Sequence, residues 1–212
     1  MKFHAAVAIA VLSVGALVAG CSGRWVVLPD GAPPIASDYG SIGGVDGRTR
    51  RVAHNGIDIR GAFGDPILAA ADGIVVRAVW REYGGWTMLI EHGQAADGKY
   101  LMTGYAHHSA NLVSTGDRVR RGQNIAEMGA TGAGSVGVTH LHFEVWAATT
   151  PGCNGCSVSG TAWDPKWKHT EPHTYWYDKP YTVTCFEHTR EYRKEPMALT
   201  YPVVCHRPAG RH

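Results

Sequence analysis

The chain is poor in the features that mark several common function classes. Its 20 lysines and arginines against 18 aspartates and glutamates leave a net charge of +2. That is too little to imply a nucleic-acid partner and permits only mild attraction to an anionic polymer. Ala5 to Val18 is apolar and uncharged, but it is shorter than the roughly 20 residues a transmembrane helix needs. No HExxH occurs, which excludes a glutamate general base of that kind. No GxSxG elbow supports a serine hydrolase. Cysteine is sparse, five in all, and a cysteine hydrolase would have to use one that disulfide pairing requires.

Glycine and histidine, by contrast, are plentiful. The 27 glycines and 11 prolines, with short alternating apolar runs between them, predict an all-β fold with many turns. At 212 residues and 44% hydrophobic, the chain suits one globular domain with appendages. Twelve histidines make a metal site worth seeking.

The stretch that organises the rest is Thr139 to Trp146, THLHFEVW. Its strict alternation predicts a half-buried strand with Leu141, Phe143 and Val145 in a core. His140, His142 and Glu144 then share the other face. Two imidazoles at i and i+2 of a strand lie roughly 6.5–7 Å apart at Cα, so one can hold a metal while the other reaches an atom bound to it. Zinc hydrolysis needs that arrangement, although two histidines on a solvated face would carry the same pattern. Glu144 reads equally as a group orienting a metal ligand and as an ordinary cross-strand partner.

Upstream, HNGIDIRG holds a second constellation. On a straight strand His54 and Asp58 would be roughly 13 Å apart, too far for one metal. The Asn55-Gly56 pair is a strong turn signal and can bend the two together. His92 closes a strand and reads as structural. Gly132 to Gly137 satisfies GxGxxG, but that motif needs a helix start to hold pyrophosphate, and here a strand follows. The glycines are expected instead to let backbone approach an extended substrate.

The N-terminus reads as a targeting segment. Lys2, the apolar run and Val18-Ala19-Gly20-Cys21 resemble the lipobox of bacterial lipoproteins, which implies a signal peptide over 1–20 and a lipid anchor at Cys21. Ser22 then goes with the periplasmic face of the outer membrane. Residues 21–37, rich in proline and small residues, read as a tether, with Trp25 to Leu28 able to dock as an edge strand. Four cysteines remain: Cys153, Cys156, Cys185 and Cys205. In an oxidising compartment they allow three connectivities. Cys153–Cys156, bracketing an Asn-Gly turn, with Cys185–Cys205 is the favoured one; a zinc ribbon is the rival.

HNGIDIRG, GDPILAAADGIVV, YAHHS, GDRVRRGQNIAEMGATG and THLHFEVW, in that order, resemble the lysostaphin/LytM-type zinc endopeptidases, over roughly Asp38 to Ala148. The resemblance implies a mostly antiparallel β-sheet with a narrow groove over 38–150, one Zn2+ per chain, and hydrolysis of peptide cross-links in peptidoglycan. In a Gram-negative host the bond would be the D-alanyl–diaminopimelate cross-link. Position by position, it makes His54, Asp58 and His142 the zinc ligands and His107 and His140 the catalytic histidines. His108 stands where such enzymes often have leucine and reads as a bystander. All five positions are intact, unlike those of zinc-less members that only activate other hydrolases; a non-cutting regulator is the alternative. Beyond Ala148 the pattern runs out. Residues 151–212 are expected to form a disulfide-stapled, aromatic-rich extension packed on the domain, with His169, His173, His188, His206 and His212 at its surface.

Overall fold

Short apolar runs cut by glycine turns become strands joined by tight connections, with no α-helix among the described residues. The computed structural model describes residues 17–19, 24–153 and 164–206. In chain order the strands are β1 (Leu17–Ala19), β2 (Trp25–Val27), β3 (Ile35–Ser37), β4 (Ile57–Arg60), β5 (Pro66–Leu68), β6 (Gly73–Arg81) and β7 (Gly85–Gln94). They continue as β8 (Tyr100–His108), β9 (Ala110–Asn111), β10 (Arg118–Val119), β11 (Asn124–Glu127), β12 (His140–Ala148) and β13 (Lys168–Thr170). The main sheet runs β10-β6-β7-β8-β12-β4-β3, and β13 extends it by pairing with the second half of β12. A small sheet, β5-β11-β9, is separate, and the pairings of all these strands are antiparallel.

β12 behaves as its alternation predicts. Leu141, Phe143 and Val145 are fully buried in the core with Ile57 and Ile59 of β4 and Ile67 and Ile125 of the small sheet. The histidines of β12 therefore emerge on the opposite face of the main sheet. Of residues 21–37, read as a tether, a part is packed down: Val26, Leu28 and Ile35 are buried in the same core. Trp25 to Leu28, expected to dock as an edge strand, lies on the domain through buried Val26 and Leu28 and the Val27–Thr182 bridge, and Trp25–Val27 also pairs with Leu17–Ala19.

The C-terminal segment completes the core. Tyr175, Trp176, Leu199, Tyr201 and Val203 belong to the same apolar cluster, and Trp176 stacks on Phe143 with ring centroids 6.3 Å apart. A disulfide joins Cys185 to Cys205. The Cys153–Cys156 pairing involves Cys156, which lies outside the described residues.

One expectation is corrected here. His173 is not at the surface: it is fully buried, its Nε2 bonded to Asp38 Oδ1 at 2.7 Å and its Nδ1 accepting from Trp176 Nε1 at 3.0 Å. A buried imidazole needs both nitrogens satisfied, and spacing along the chain does not reveal such partners. Within 132–137, Gly132 admits protein backbone and Gly134 a side chain, and Gly134 also lines the groove cavity. A Cβ on Gly132 would lie 2.1 Å from Gly85 N, and one on Gly134 2.6 Å from the Tyr83 ring.

The Cys185–Cys205 crosslink closes a sequence separation of 20 residues. Loop-closure entropy of that span corresponds to about 3 kcal/mol. The double Cys→Ser variant at these positions should lower the urea midpoint accordingly, with the slope little changed.

Candidate metal centre

His54 precedes β4, and the Asn55-Gly56 bend carries it back over Asp58. The bend depends on glycine, since a Cβ at Gly56 would lie 2.4 Å from Phe143 O. His54 Nε2 consequently sits 3.1 Å from Asp58 Oδ1. β12 pairs with β4 so that His142 lies opposite Asp58, with His142 Nδ1 2.9 Å from Asp58 Oδ1 and 3.0 Å from His54 Nε2.

The outer contacts of each ring fix its tautomer. His54 Nδ1 faces the Asp38 carbonyl oxygen at 3.1 Å, which can only accept, so Nδ1 carries the proton and Nε2 the lone pair. His142 Nε2 faces Glu144 Oε1 at 3.0 Å, which leaves its lone pair on Nδ1. Arg50 Nη2 donates to Asp58 Oδ2 at 2.6 Å and leaves Oδ1 directed at the imidazoles. Two lone pairs and a carboxylate oxygen thus converge, and they repel one another unless a cation lies among them. This donor set fits a zinc ion: nitrogen and oxygen ligands whose outer atoms are already oriented.

Without metal, a proton takes that place. Burial alone would lower the His142 pKa, but hydrogen bonds to Asp58 and Glu144 reverse this and lift it to about 9. Burial would raise Asp58, yet the bonds from His142 and His54 hold it well below the usual carboxylate range. Glu144 is likewise held low against burial, by His142 and His169.

The remaining predicted pair stands beside this cluster. His107 and His140 rings are 4.8 Å apart between centroids, and His140 Nε2 is 3.6 Å from Asp58 Oδ1. Nδ1 of His107 donates to the Thr131 carbonyl at 2.9 Å and Nδ1 of His140 to the Val138 carbonyl at 2.8 Å. Both therefore keep Nε2 as a free base. Burial, then the neighbouring His142 and His140, lowers His107 to about 3; burial also lowers His140. All five predicted residues line one cavity of about 630 Å³.

His107, not His108, faces that cavity. Strict alternation beyond Ala106 would put His108 on the groove face, but the β7–β8 register skips His107, which adopts φ 71°. This left-handed bulge throws His107 into the groove and turns His108 inward. His108 is fully buried, with Nδ1 2.7 Å from Asn111 Oδ1. His92 is structural as expected, held between the Asp72 carbonyl and Thr103.

Sequence reading missed three contributors. Arg50 carried no motif. The Asp38 carbonyl is a backbone group. His169, read as a surface residue, reaches Glu144 Oε2 at 3.4 Å from β13, under the Trp146 ring. Glu144 accepts from Asn55 at 2.6 Å and from His142 on Oε1 and from Trp146 Nε1 at 2.9 Å on Oε2, while His169 Nε2, which accepts from Asn55 Nδ2 at 2.9 Å, lies 3.4 Å from Oε2. It is thus a hub, beyond an ordinary cross-strand partner.

Residues 52–155 match the profile of peptidase family M23. The chain is 39% identical over 92 residues to peptidoglycan DD-endopeptidase ShyC of Vibrio cholerae, covering 43% of this chain and 20% of that protein. It is 44% identical over 94 residues to murein hydrolase activator NlpD of Escherichia coli, covering 43% and 22% respectively. The match thus spans about a fifth of each relative's length. The solved catalytic domain of lysostaphin from Staphylococcus simulans aligns at 30% identity and TM-score 0.44, over 57% of this chain and 84% of that one.

The raised His142 pKa has a definite stability consequence for chelator-treated protein. Its contribution is fully present below the ordinary value of 6.5 and is lost as pH rises through about 9. Urea melts of metal-stripped protein should therefore lose on the order of 1–3 kcal/mol between pH 6.5 and 9.5. The loss should be absent in His142→Gln.

Proposed function

Since residues 52–155 constitute a peptidase family M23 domain, we propose that the protein is a zinc-dependent endopeptidase hydrolysing peptide cross-links of bacterial peptidoglycan. The observation that carries this reading is the meeting of two tautomer-fixed lone pairs and a carboxylate oxygen, with two further free Nε2 bases alongside in one groove. His54, Asp58 and His142 would hold one zinc ion, which supplies Lewis-acid activation of the carbonyl and of water.

The chain's own groups do the rest. His107 and His140 are anchored through Nδ1–H on backbone carbonyls, so their Nε2 atoms stay directed into the groove. They accept the proton of the attacking water, steady the developing oxyanion and return a proton to the leaving amine. Their lowered pKa values keep them unprotonated at neutral pH, as bases must be. Glu144 orients His142, and the Asp38 carbonyl orients His54.

A second reading, a non-cutting activator of another wall hydrolase, is favoured by the equally extensive similarity to NlpD. The intact set of five residues speaks for the enzyme. Metal content and activity on purified sacculi, measured together, separate the two. About one zinc per chain is expected, lost in His142→Ala and retained in His140→Ala, with cross-link cleavage down about 100-fold or more in both. A zinc-loaded protein that leaves sacculi intact but stimulates an amidase would establish the activator.

The lipobox resemblance supports an exported protein anchored through Cys21 at the periplasmic face of the outer membrane. A relative in Pseudomonas aeruginosa, 42% identical over 94 residues, is named a lipoprotein NlpD/LppB homolog. Among the described residues no helix is long and apolar enough to cross a membrane. Palmitate labelling of cells should mark the wild-type protein and not Cys21→Ala, which should shift to the soluble fraction.

A further inference from the structure

A bulge in β3 brings a serine to the face that carries the imidazoles. Ile35 pairs with Ile59, both buried in the core, and the register then shifts so that Ser37 lies opposite Asp58. A regular strand would set Ser37 against Ile57 and turn it into the core. With the extra residue, one row across the sheet reads Ser37, Asp58, His142, Ala106.

The chain between β3 and β4 returns over that row. Residues 40–54 form a closed loop: Gly40 N donates to the His54 carbonyl at 2.8 Å, His54 N to the Ser41 carbonyl at 2.9 Å, and Arg50 N to the Ile42 carbonyl at 2.7 Å. Arg50 projects from the returning limb, and its guanidinium joins the loop to the sheet. Nη1 donates to Ser37 Oγ and, at 2.7 Å, to the Gly43 carbonyl; Nη2 donates to Asp58 Oδ2 at 2.6 Å. Ser37 Oγ donates in turn to the Gly43 carbonyl at 2.6 Å, so the acceptors that seat Nη1 brace each other.

The two oxygens of Asp58 thereby take separate tasks. Oδ2 faces the guanidinium, while Oδ1 faces His142 Nδ1 at 2.9 Å, His54 Nε2 at 3.1 Å and His140 Nε2 at 3.6 Å. A carboxylate free to turn about its Cβ–Cγ bond could offer a cation either oxygen or both. The side chains of Asp58 and Arg50 are only 1% and 25% exposed, so water competes weakly for Oδ2. A guanidinium–carboxylate bond in such a place is strong and directional. The charge of Arg50 acts in the opposite sense. Beside a dication it repels, and by Coulomb's law alone its removal would tighten zinc binding.

We propose that Arg50 is a positioning residue of the metal centre. It holds Asp58 with one oxygen toward the ion and ties that ligand to the loop that ends in another, His54. The gain from orientation outweighs the repulsion. This rests on the zinc reading of His54, Asp58 and His142.

The test compares wild type, Arg50→Gln and Arg50→Lys by chelator competition for zinc, by the visible spectrum of the cobalt(II)-substituted protein and by cross-link cleavage in sacculi. Zinc affinity should fall about 10- to 100-fold in Arg50→Gln. Arg50→Lys keeps the charge but has one nitrogen where the fork has two, and should recover only part of the loss. The cobalt bands should weaken in Arg50→Gln, because a carboxylate that offers both oxygens raises the coordination number and cobalt of lower coordination absorbs more strongly. A purely structural role would not move that spectrum. Thermal melts of the metal-stripped proteins check folding; should Arg50→Gln not fold, Arg50→Lys decides, since wild-type affinity and an unchanged spectrum in it would overturn the proposal. Equal or tighter zinc binding in Arg50→Gln, or unchanged cobalt bands, would overturn it and leave the metal centre standing. Wild type that takes up no zinc removes the metal centre and the proposal together. Zinc held tightly by wild type and loosely by Arg50→Gln, with sacculi left intact by both, would uphold the positioning role and remove the endopeptidase reading.

Discussion

The antiparallel register that sets His142 of β12 between Asp58 of β4 and Ala106 of β8 governs the candidate site. In a sheet the side-chain period is two, so a slip of one residue would send His140, His142 and Glu144 into the core and Leu141, Phe143 and Val145 into water. Those three apolar residues are fully buried, and burial of each full side chain contributes about 1.5–3 kcal/mol. The apolar face therefore enforces the register, and the register sets which polar groups meet. The metal-binding geometry is a by-product of hydrophobic alternation on the other side of the same strand.

That face carries charges and imidazoles that are expensive to bury. The structure offsets the cost by giving nearly every one of them two partners. His54, His107 and His140 each rest on a backbone carbonyl, and His142 rests on Glu144, itself held by Asn55, Trp146 and His169. The C-terminal segment enters the same web. His173 binds the carboxylate of Asp38, whose carbonyl oxygen orients His54. Disruption of the segment would therefore reach the candidate metal centre through one residue, besides uncovering the core at Trp176.

What could be read from the sequence follows from this division. THLHFEVW announced its strand, its core residues and its polar face, because one short segment contains both periodicities. The pairing of His54 with Asp58 was legible only because Asn55-Gly56 marks a bend; without that turn signal, a straight strand would have kept them apart. Residues 21–37 read as a tether from their prolines and small residues, yet Val26, Leu28 and Ile35 fill core positions. Composition reports local stiffness and says nothing of which apolar residues find a distant partner. His169 and His173 were unreadable for the same reason, since their partners Glu144 and Asp38 lie 25 and 135 residues away in the chain.

Departures from regular pairing account for the remainder. Alternation carried from Tyr105 into the next residues would give His107 to the core and His108 to the groove. The bulge at His107 inverts this, at the cost of a left-handed backbone that costs a β-carbon residue roughly 1–2 kcal/mol. The bulge in β6 inverts the alternation in the same sense and lifts Arg77 out of the apolar layer. Both bulges adjoin the groove over Gly104 and Ala106, and each turns a polar side chain, His107 or Arg77, toward the cavity. A regular sheet of this sequence would have neither. The groove is thus made where the strand pattern fails, and the strain at His107 persists because Thr131, His108 and the Gly84–Gly85 turn hold that backbone from several sides.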